Sequence, residues 1–181
     1  MKRYSIYPED NELEKKIVRL LGDKGELSAW EIAKELKEKR LASIYTITRE
    51  LTKKQFIKMN RTVRNEKNAT KKLLWLTRQG IGWSLLCGSN PRNVLENSKK
   101  YGADPFSLMF IDVYRKKPNE MNRIMKAGFL PDKVLLVTKD VISIFPDVIQ
   151  SFKDHTDVFD YAKENNHPEF NEHKDIILGL N

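Results

Sequence analysis

The sequence has little of what several classes of protein depend on. One of its 181 residues is a cysteine, Cys87, and three are histidines. A single cysteine forms no internal disulfide and gives no second thiolate for a structural zinc, so a reducing compartment is expected. No run of about 18 apolar residues occurs, and the N-terminus MKRYSIYPEDNE turns acidic where a signal peptide needs an apolar stretch. We therefore expect a cytoplasmic protein with no membrane partner.

Motifs that mark catalytic sites are also missing. The patterns GxxxxGK[ST], GxGxxG, GxSxG and HExxH do not occur. The histidines, His155, His167 and His173, do not place two ligands on one helical turn, as an i, i+4 zinc pair requires. No residue near Cys87 in the sequence would lower the pKa of its thiol, as a nucleophile needs. We therefore expect no enzyme activity, no cofactor and no metal.

Positive charge is in excess, and it is concentrated in one part of the chain. The formal net charge is +8. Residues 1–39 carry nine Lys/Arg and nine Asp/Glu, whereas residues 40–78 carry eleven Lys/Arg and only two acidic residues. Residues 79–181 hold thirteen basic and fourteen acidic side chains. A polyanion is therefore expected to bind residues 40–78, which we call the basic segment.

Two amphipathic helices are predicted before the basic segment. The first covers residues 11–22 or 11–25, and a glycine ends it in either case. Its apolar residues recur at intervals of three and four: Leu13, Ile17, Leu20 and Leu21. The second follows Ser28, which forms a capping box with Glu31, and ends near residue 39 or 40. Its buried side is expected to contain Trp30, Ile32, Ala33 and Leu36.

A third helix is predicted over residues 43–54, with Ser43 as a candidate N-cap. Its inward side chains are Ile44, Ile47 and Leu51. The opposite face carries groups that donate hydrogen bonds to phosphates and to base edges in a DNA groove. The candidate DNA-binding residues of this helix are Ser43, Tyr45, Thr46, Arg49, Lys53 and Lys54. For Arg49 and Lys53 the alternative is a solvated helix face, and Tyr45 can equally pack over the second helix.

A β-hairpin is predicted over residues 56–77. QFIKMNRTVR has a period near two, NEKNAT is rich in turn-forming residues, and KKLLWLT has the composition of a strand. No glycine lies at the tip, so Asn65 or Asn68 would supply any residue of positive φ. The cations expected to bind phosphates are Arg61, Arg64, Lys67, Lys71 and Lys72. Thr77 then caps a further helix, RQGIGWSLLCG.

In this order of elements, residues 11–87 resemble the winged helix-turn-helix domain of archaeal and bacterial transcription regulators. The resemblance rests on three helices, a tight connection between the second and third, and the run RELTKKQFI that leads into a basic hairpin. It implies that the third helix lies in the major groove of double-stranded DNA. The hairpin, called the wing, would lie along the adjacent backbone or minor groove.

Residues 89–181 are predicted to form a separate helical domain, and residues 1–88 the DNA-binding domain. Asn90–Pro91 and the run GADP at 102–105 punctuate the chain where the basic character ends. Helices are predicted in PRNVLENSKKY, PFSLMFIDVYRKK, NEMNRIMKAGF, PDKVLLVTKDVISIF, PDVIQSFKDHTDVFDYAKENN and HPEFNEHKDIILGL. The fold class is thus mainly α, with α+β in the N-terminal half.

These features predict a sequence-specific regulator of transcription that binds double-stranded DNA, lies with the nucleoid and forms a homodimer through its helical domain. Docking of another protein, or a helical extension of the monomer's core, are alternatives for that domain. For the whole chain the alternatives are a nucleoid or RNA-associated protein that does not read sequence, and a winged helix that binds proteins. Trp30, Trp75 and Trp83 could stack on single-stranded bases, but their apolar surroundings favour core packing.

Overall fold

The chain divides into two compact units, residues 1–103 and residues 104–181. The structure is a computed structural model, and it describes residues 11–64, 69–126, 150 and 153–165. These residues are mostly helical, with one small antiparallel sheet. The first unit extends fifteen residues past the boundary expected at residue 88, because the next helix is tied to the first one. There the side-chain amide of Asn97 donates to the carbonyl of Gly22 at 3.0 Å.

Five helices and two strands make up the described part of the first unit. They are α1 (Glu12–Lys24), α2 (Ala29–Glu35), α3 (Leu41–Lys53), β1 (Ile57–Arg64), β2 (Thr70–Leu76), α4 (Arg78–Leu86) and α5 (Pro91–Lys100). Three predicted helix ends are confirmed: Gly25 ends α1, Ser28 and Glu31 form the capping box of α2, and Thr77 caps α4. The side chain of Asn11 caps α1.

Helix α2 is shorter than predicted. It ends at Glu35, not near residue 39 or 40, because Lys37 adopts a φ of 54°. The amide of Glu38 then donates to the carbonyl of Ala33 at 2.9 Å, which closes the last turn. The residue in the left-handed region after a helix is usually glycine or asparagine, so a lysine there gives the sequence no visible stop signal.

Helix α3 begins two residues before the predicted position, and its buried stripe also differs. It starts at Leu41, so Ser43 lies inside the first turn and is not the N-cap. The buried residues are Ile44, Thr48 and Leu51. Ile47, predicted to face inward, is only half-buried. Thr48 tolerates burial because its hydroxyl donates to the carbonyl of Tyr45 at 3.1 Å.

The predicted hairpin is confirmed, since β1 and β2 pair antiparallel. Leu27, in the connection between α1 and α2, adds one antiparallel bridge to Leu74 of β2, so β2 lies between Leu27 and β1. Trp75 and Trp83 are 1% and 2% exposed, as predicted. The prediction that Trp30 is buried is wrong, because its side chain is 57% exposed.

The described part of the second unit contains α6 (Pro105–Lys116), α7 (Pro118–Lys126) and α8 (Asp157–Glu164). Its buried side chains include Phe106, Met109, Phe110 and Val113 of α6. Val158, Phe159 and Ala162 of α8 are buried as well. Among the described residues of either unit, no helix has the length and apolar character that crossing a membrane requires. The predictions for residues 131–149 and 167–180 lie outside the described residues.

A close backbone approach fixes α4 against the start of the hairpin. A Cβ atom on Gly80 would lie 1.9 Å from the carbonyl oxygen of Phe56, so only glycine permits this contact. The amide of Thr77 donates to the same carbonyl at 3.1 Å. The rings of Phe56 and Trp83 lie 4.6 Å apart between centroids. The beginning of β1 and the beginning of α4 are therefore held together.

Gly80→Ala is expected to lower the free energy of unfolding by about 3 kcal/mol, because the added methyl group meets backbone that cannot move aside. Gly88→Ala is the control. Nothing lies within 4 Å of its Cβ position, so this variant carries only the strain of a positive φ, about 1 kcal/mol. Urea unfolding followed by circular dichroism measures both changes. Equal losses in the two variants would contradict the close approach.

Candidate nucleic-acid interface

The exposed face of α3 and the strand β2 border one cleft with a volume of about 890 Å³. Its lining includes four cations, Arg49, Lys53, Lys71 and Lys72, and among the described residues no carboxylate. Trp30 at the start of α2 also lines it. We call this space the basic cleft. Its composition suits a polyanion better than a neutral or cationic ligand.

Helical spacing explains the part of the cleft that α3 supplies. Tyr45, Arg49 and Lys53 follow one another at intervals of four and so lie on one side of the helix. All three are exposed, as predicted. Thr46 is exposed outside the lining, and its hydroxyl donates to the carbonyl four residues earlier at 3.1 Å. Ser43 is half-buried and also lies outside the lining.

The wing supplies the opposite wall. Lys71 and Lys72 of β2 line the cleft. Arg64 is exposed at the end of β1 and is the cross-strand partner of Thr70, which also lines the cleft. Partners across an antiparallel ladder share a face of the sheet, so Arg64 lies on the same face of the hairpin as Thr70, although Arg64 itself is not part of the lining. Residues 65–68 at the tip, Lys67 and both candidate asparagines included, lie outside the described residues.

Two of the cations that were predicted to contact DNA bind buried carboxylates. Lys54 donates to Glu14 at 2.8 Å, and Arg61 forms an ion pair with Glu26. The two glutamate side chains are only 4% and 3% exposed, and a buried carboxylate without a donor or a cation strongly destabilises a fold. Neither Lys54 nor Arg61 lines the basic cleft. Both cations therefore hold the fold together.

A β-bulge at Asn60 lets β1 reach Glu26 with two successive side chains. The register of the hairpin shifts between Met59 and Arg61. The side-chain amide of Asn60 donates to Glu26 Oε2 at 2.9 Å, and the guanidinium of Arg61 donates to Oε1. Successive side chains of a regular strand point to opposite faces, whereas a bulge places two residues opposite one. The only signal of this contact in the sequence was Glu26 itself, an acidic residue in the short connection between α1 and α2.

Glu31 joins the cap of α2 to the wing. Its carboxylate accepts hydrogen bonds from the amide and the hydroxyl of Ser28, at 2.8 and 2.9 Å, and also from the ammonium of Lys71. Burial opposes ionisation of Glu31, but the bonds from Lys71 and Ser28 together outweigh it and lower its pKa. A lowered pKa means that this group stabilises the fold at neutral pH. The contribution is lost as the pH falls through the lowered pKa.

Some cations on this side of the unit have no carboxylate partner. Within the described part of the chain, Arg49, Arg64 and Lys72 make no ion pair. Lys53 pairs with Glu50 at 2.8 Å, but both side chains are largely exposed. A pair of that kind contributes little and is readily exchanged for a phosphate.

Trp30 is the residue of the cleft that the sequence pattern misplaced. The buried residues of α2 are Ala29, Ile32 and Ala33, and Trp30 lies about 100° around the helix from Ala29. The ammonium of Lys34 lies over the indole ring, 5.6 Å from its centroid, and 57% of the Trp30 side chain remains exposed.

Cys87 does not line this cleft. Burial raises the pKa of the Cys87 thiol to about 11, so it is protonated at neutral pH. His155 Nε2 lies 3.9 Å from a carboxylate oxygen of Asp112. Within the described ranges no three His, Cys, Asp or Glu side chains come together as a metal site would require. His167 and His173 lie outside those ranges.

No protein-family model, curated protein or solved structure matches this chain. The likeness to winged helix proteins therefore rests on the order of its elements. The function has to be argued from the geometry and the charge of the basic cleft.

Arg61→Ala is expected to lower the free energy of unfolding by about 1–3 kcal/mol, because Glu26 would keep only the amide of Asn60 as a side-chain partner. The control is Arg64→Ala, the same change three residues along β1 at an exposed position, for which less than about 0.5 kcal/mol is expected. Urea unfolding at neutral pH compares the two. An Arg61→Ala variant as stable as the wild type would show that the ion pair with Glu26 does not support the fold.

Proposed function

We propose that this protein is a transcriptional regulator that binds double-stranded DNA through a winged helix-turn-helix module in its first unit. The observation that carries the proposal is the basic cleft, where an exposed helix face and a hairpin meet. Its lining contains four cations and, within the part of the chain that the structure describes, no carboxylate. The order of α1, α2, α3, β1 and β2, with Leu27 bridging to β2, supports the same module.

In this proposal α3 enters the major groove and the wing follows the neighbouring backbone. Arg49 is the best candidate for reading a base, because a guanidinium can bind guanine O6 and N7 with two parallel hydrogen bonds. Lys53, Arg64 and Lys72 are assigned to phosphates, which position the module without reading sequence. Tyr45 stands one turn before Arg49 on the same face.

Pairing of two copies stays a prediction, as does association with the nucleoid. The physical reason to expect pairing is that one module buries limited surface on DNA, whereas two modules add affinity and fix the spacing of two half-sites. Light scattering of the full chain, with and without DNA, measures the number of copies.

Binding to duplex DNA is expected to be strong at low salt and to weaken steeply as salt is added. If about six phosphates are neutralised, the slope of log K against log salt is about −5. Lys53→Ala/Lys72→Ala is expected to reduce the magnitude of that slope by about 2, because both lysines are assigned to phosphates and two phosphate contacts are lost. Fluorescence anisotropy with a random pool of labelled duplexes measures both slopes.

The matched control is Arg92→Ala/Lys99→Ala, which removes the same charge from exposed positions of α5 in the same unit. It is expected to bind DNA with nearly the affinity and the salt slope of the wild type. Equal losses in the two double variants would mean that net charge, and not the cleft, governs binding. Absence of binding at low salt would defeat the proposal. Equal affinity for unrelated duplexes after selection would remove its sequence-specific part.

A further inference from the structure

The basic cleft presents two large aromatic side chains to solvent. Trp30 and Tyr45 are 57% and 53% exposed, and both line the cleft. Among the described residues, Met59 is the one other large hydrophobic side chain with comparable exposure. Exposed aromatic surface is thus concentrated in the same cleft as the cations. If the cleft were only a solvated charged surface, nothing would require two large aromatic side chains to be exposed among its cations.

A fully paired duplex offers no base face on which these aromatic side chains could stack. Each base of a duplex is stacked between its neighbours, so a protein reaches only base edges, sugars and phosphates. An unpaired base has a free face, and stacking on an aromatic side chain stabilises it whatever its identity. Aromatic side chains among cations that bind the flanking phosphates are the usual arrangement for unpaired nucleotides.

We propose that Trp30 and Tyr45 hold an unpaired nucleotide, so that the protein prefers DNA in which a paired segment adjoins an unpaired base. This inference rests on the proposed function, because α3 and the wing supply the contacts with the paired segment. A cleft of about 890 Å³ lies in the size range of sites that hold drug-sized ligands, and a nucleotide is of that size.

Charge decides between a nucleotide and a peptide as the occupant. The lining contains no carboxylate, and within the described residues Arg49 and Lys72 make no ion pair. A neutral or basic peptide would leave both cations without a partner. A nucleotide brings a phosphate next to its base, so one ligand satisfies the cations and the aromatic faces together.

The test compares three labelled DNAs of one sequence: a blunt duplex, the same duplex with one unpaired nucleotide, and the single strand. For the wild type, the duplex with the unpaired nucleotide is expected to bind about tenfold more tightly than the blunt duplex, which is the range of one base stacked on one aromatic ring. Trp30→Ala is expected to abolish this preference, so that the two duplexes bind with equal affinity. Trp30→Phe is expected to keep most of it, because a ring remains.

Tryptophan fluorescence gives a second measurement on the same samples. Of the three tryptophans, Trp75 and Trp83 are 1% and 2% exposed, so quenching by a stacked base reports on Trp30. Quenching is expected with the unpaired nucleotide and not with the blunt duplex. It is expected to disappear in Trp30→Phe, which still binds the DNA. Circular dichroism of both variants checks that they are folded. We expect them to be folded, because Trp30 is an exposed side chain outside the core.

The outcomes separate this inference from the proposed function. Salt-sensitive binding of all three DNAs without a preference for the unpaired nucleotide would overturn the inference and leave the proposed function intact. Equal weakening of the blunt and unpaired duplexes by Trp30→Ala would also overturn it, because Trp30 would then contact the paired backbone. Failure to bind any of the three DNAs at low salt would defeat the proposed function itself.

Discussion

The positions of α3 and of the hairpin depend on three glutamates that bind cations of the basic segment. Glu14 holds Lys54 just after α3, Glu26 holds the bulge of β1, and Glu31 holds Lys71 of β2. Mutual repulsion among the eleven cations of this segment would otherwise oppose its compact arrangement. Two of the three carboxylates are almost fully buried, so these contacts specify positions as well as neutralise charge.

The same pairs connect the two segments of different charge that meet near residue 40. The balanced residues 1–39 supply the three anchoring carboxylates, and these pair with Lys54, Arg61 and Lys71. Arg49 and Lys72 are left facing the cleft. Net charge along the chain therefore exaggerates the number of cations available to a polyanion.

Local signals were sufficient for much of the fold, and contacts between distant residues account for most of what they missed. The capping box at Ser28, the hairpin and the burial of Trp75 follow from patterns within a few residues, and all are observed. Helix α2 ends early, at Glu35, because Lys37 adopts a positive φ. A lysine gives the sequence no signal of that conformation. Trp30 was assigned to the core because it is apolar, although its position around α2 points it elsewhere. The pairing of Arg61 with Glu26 spans 35 residues, which no local pattern can reveal.

The bulge at Asn60 also sets what a change of length in β1 would cost. Asn60 is the one residue of β1 without a partner in β2, so its loss would restore a regular ladder and leave Arg64 opposite Thr70. What would be lost is one of the two neighbouring donors that reach Glu26. The buried carboxylate of Glu26 is therefore the reason for β1 to keep a residue that the ladder itself does not need.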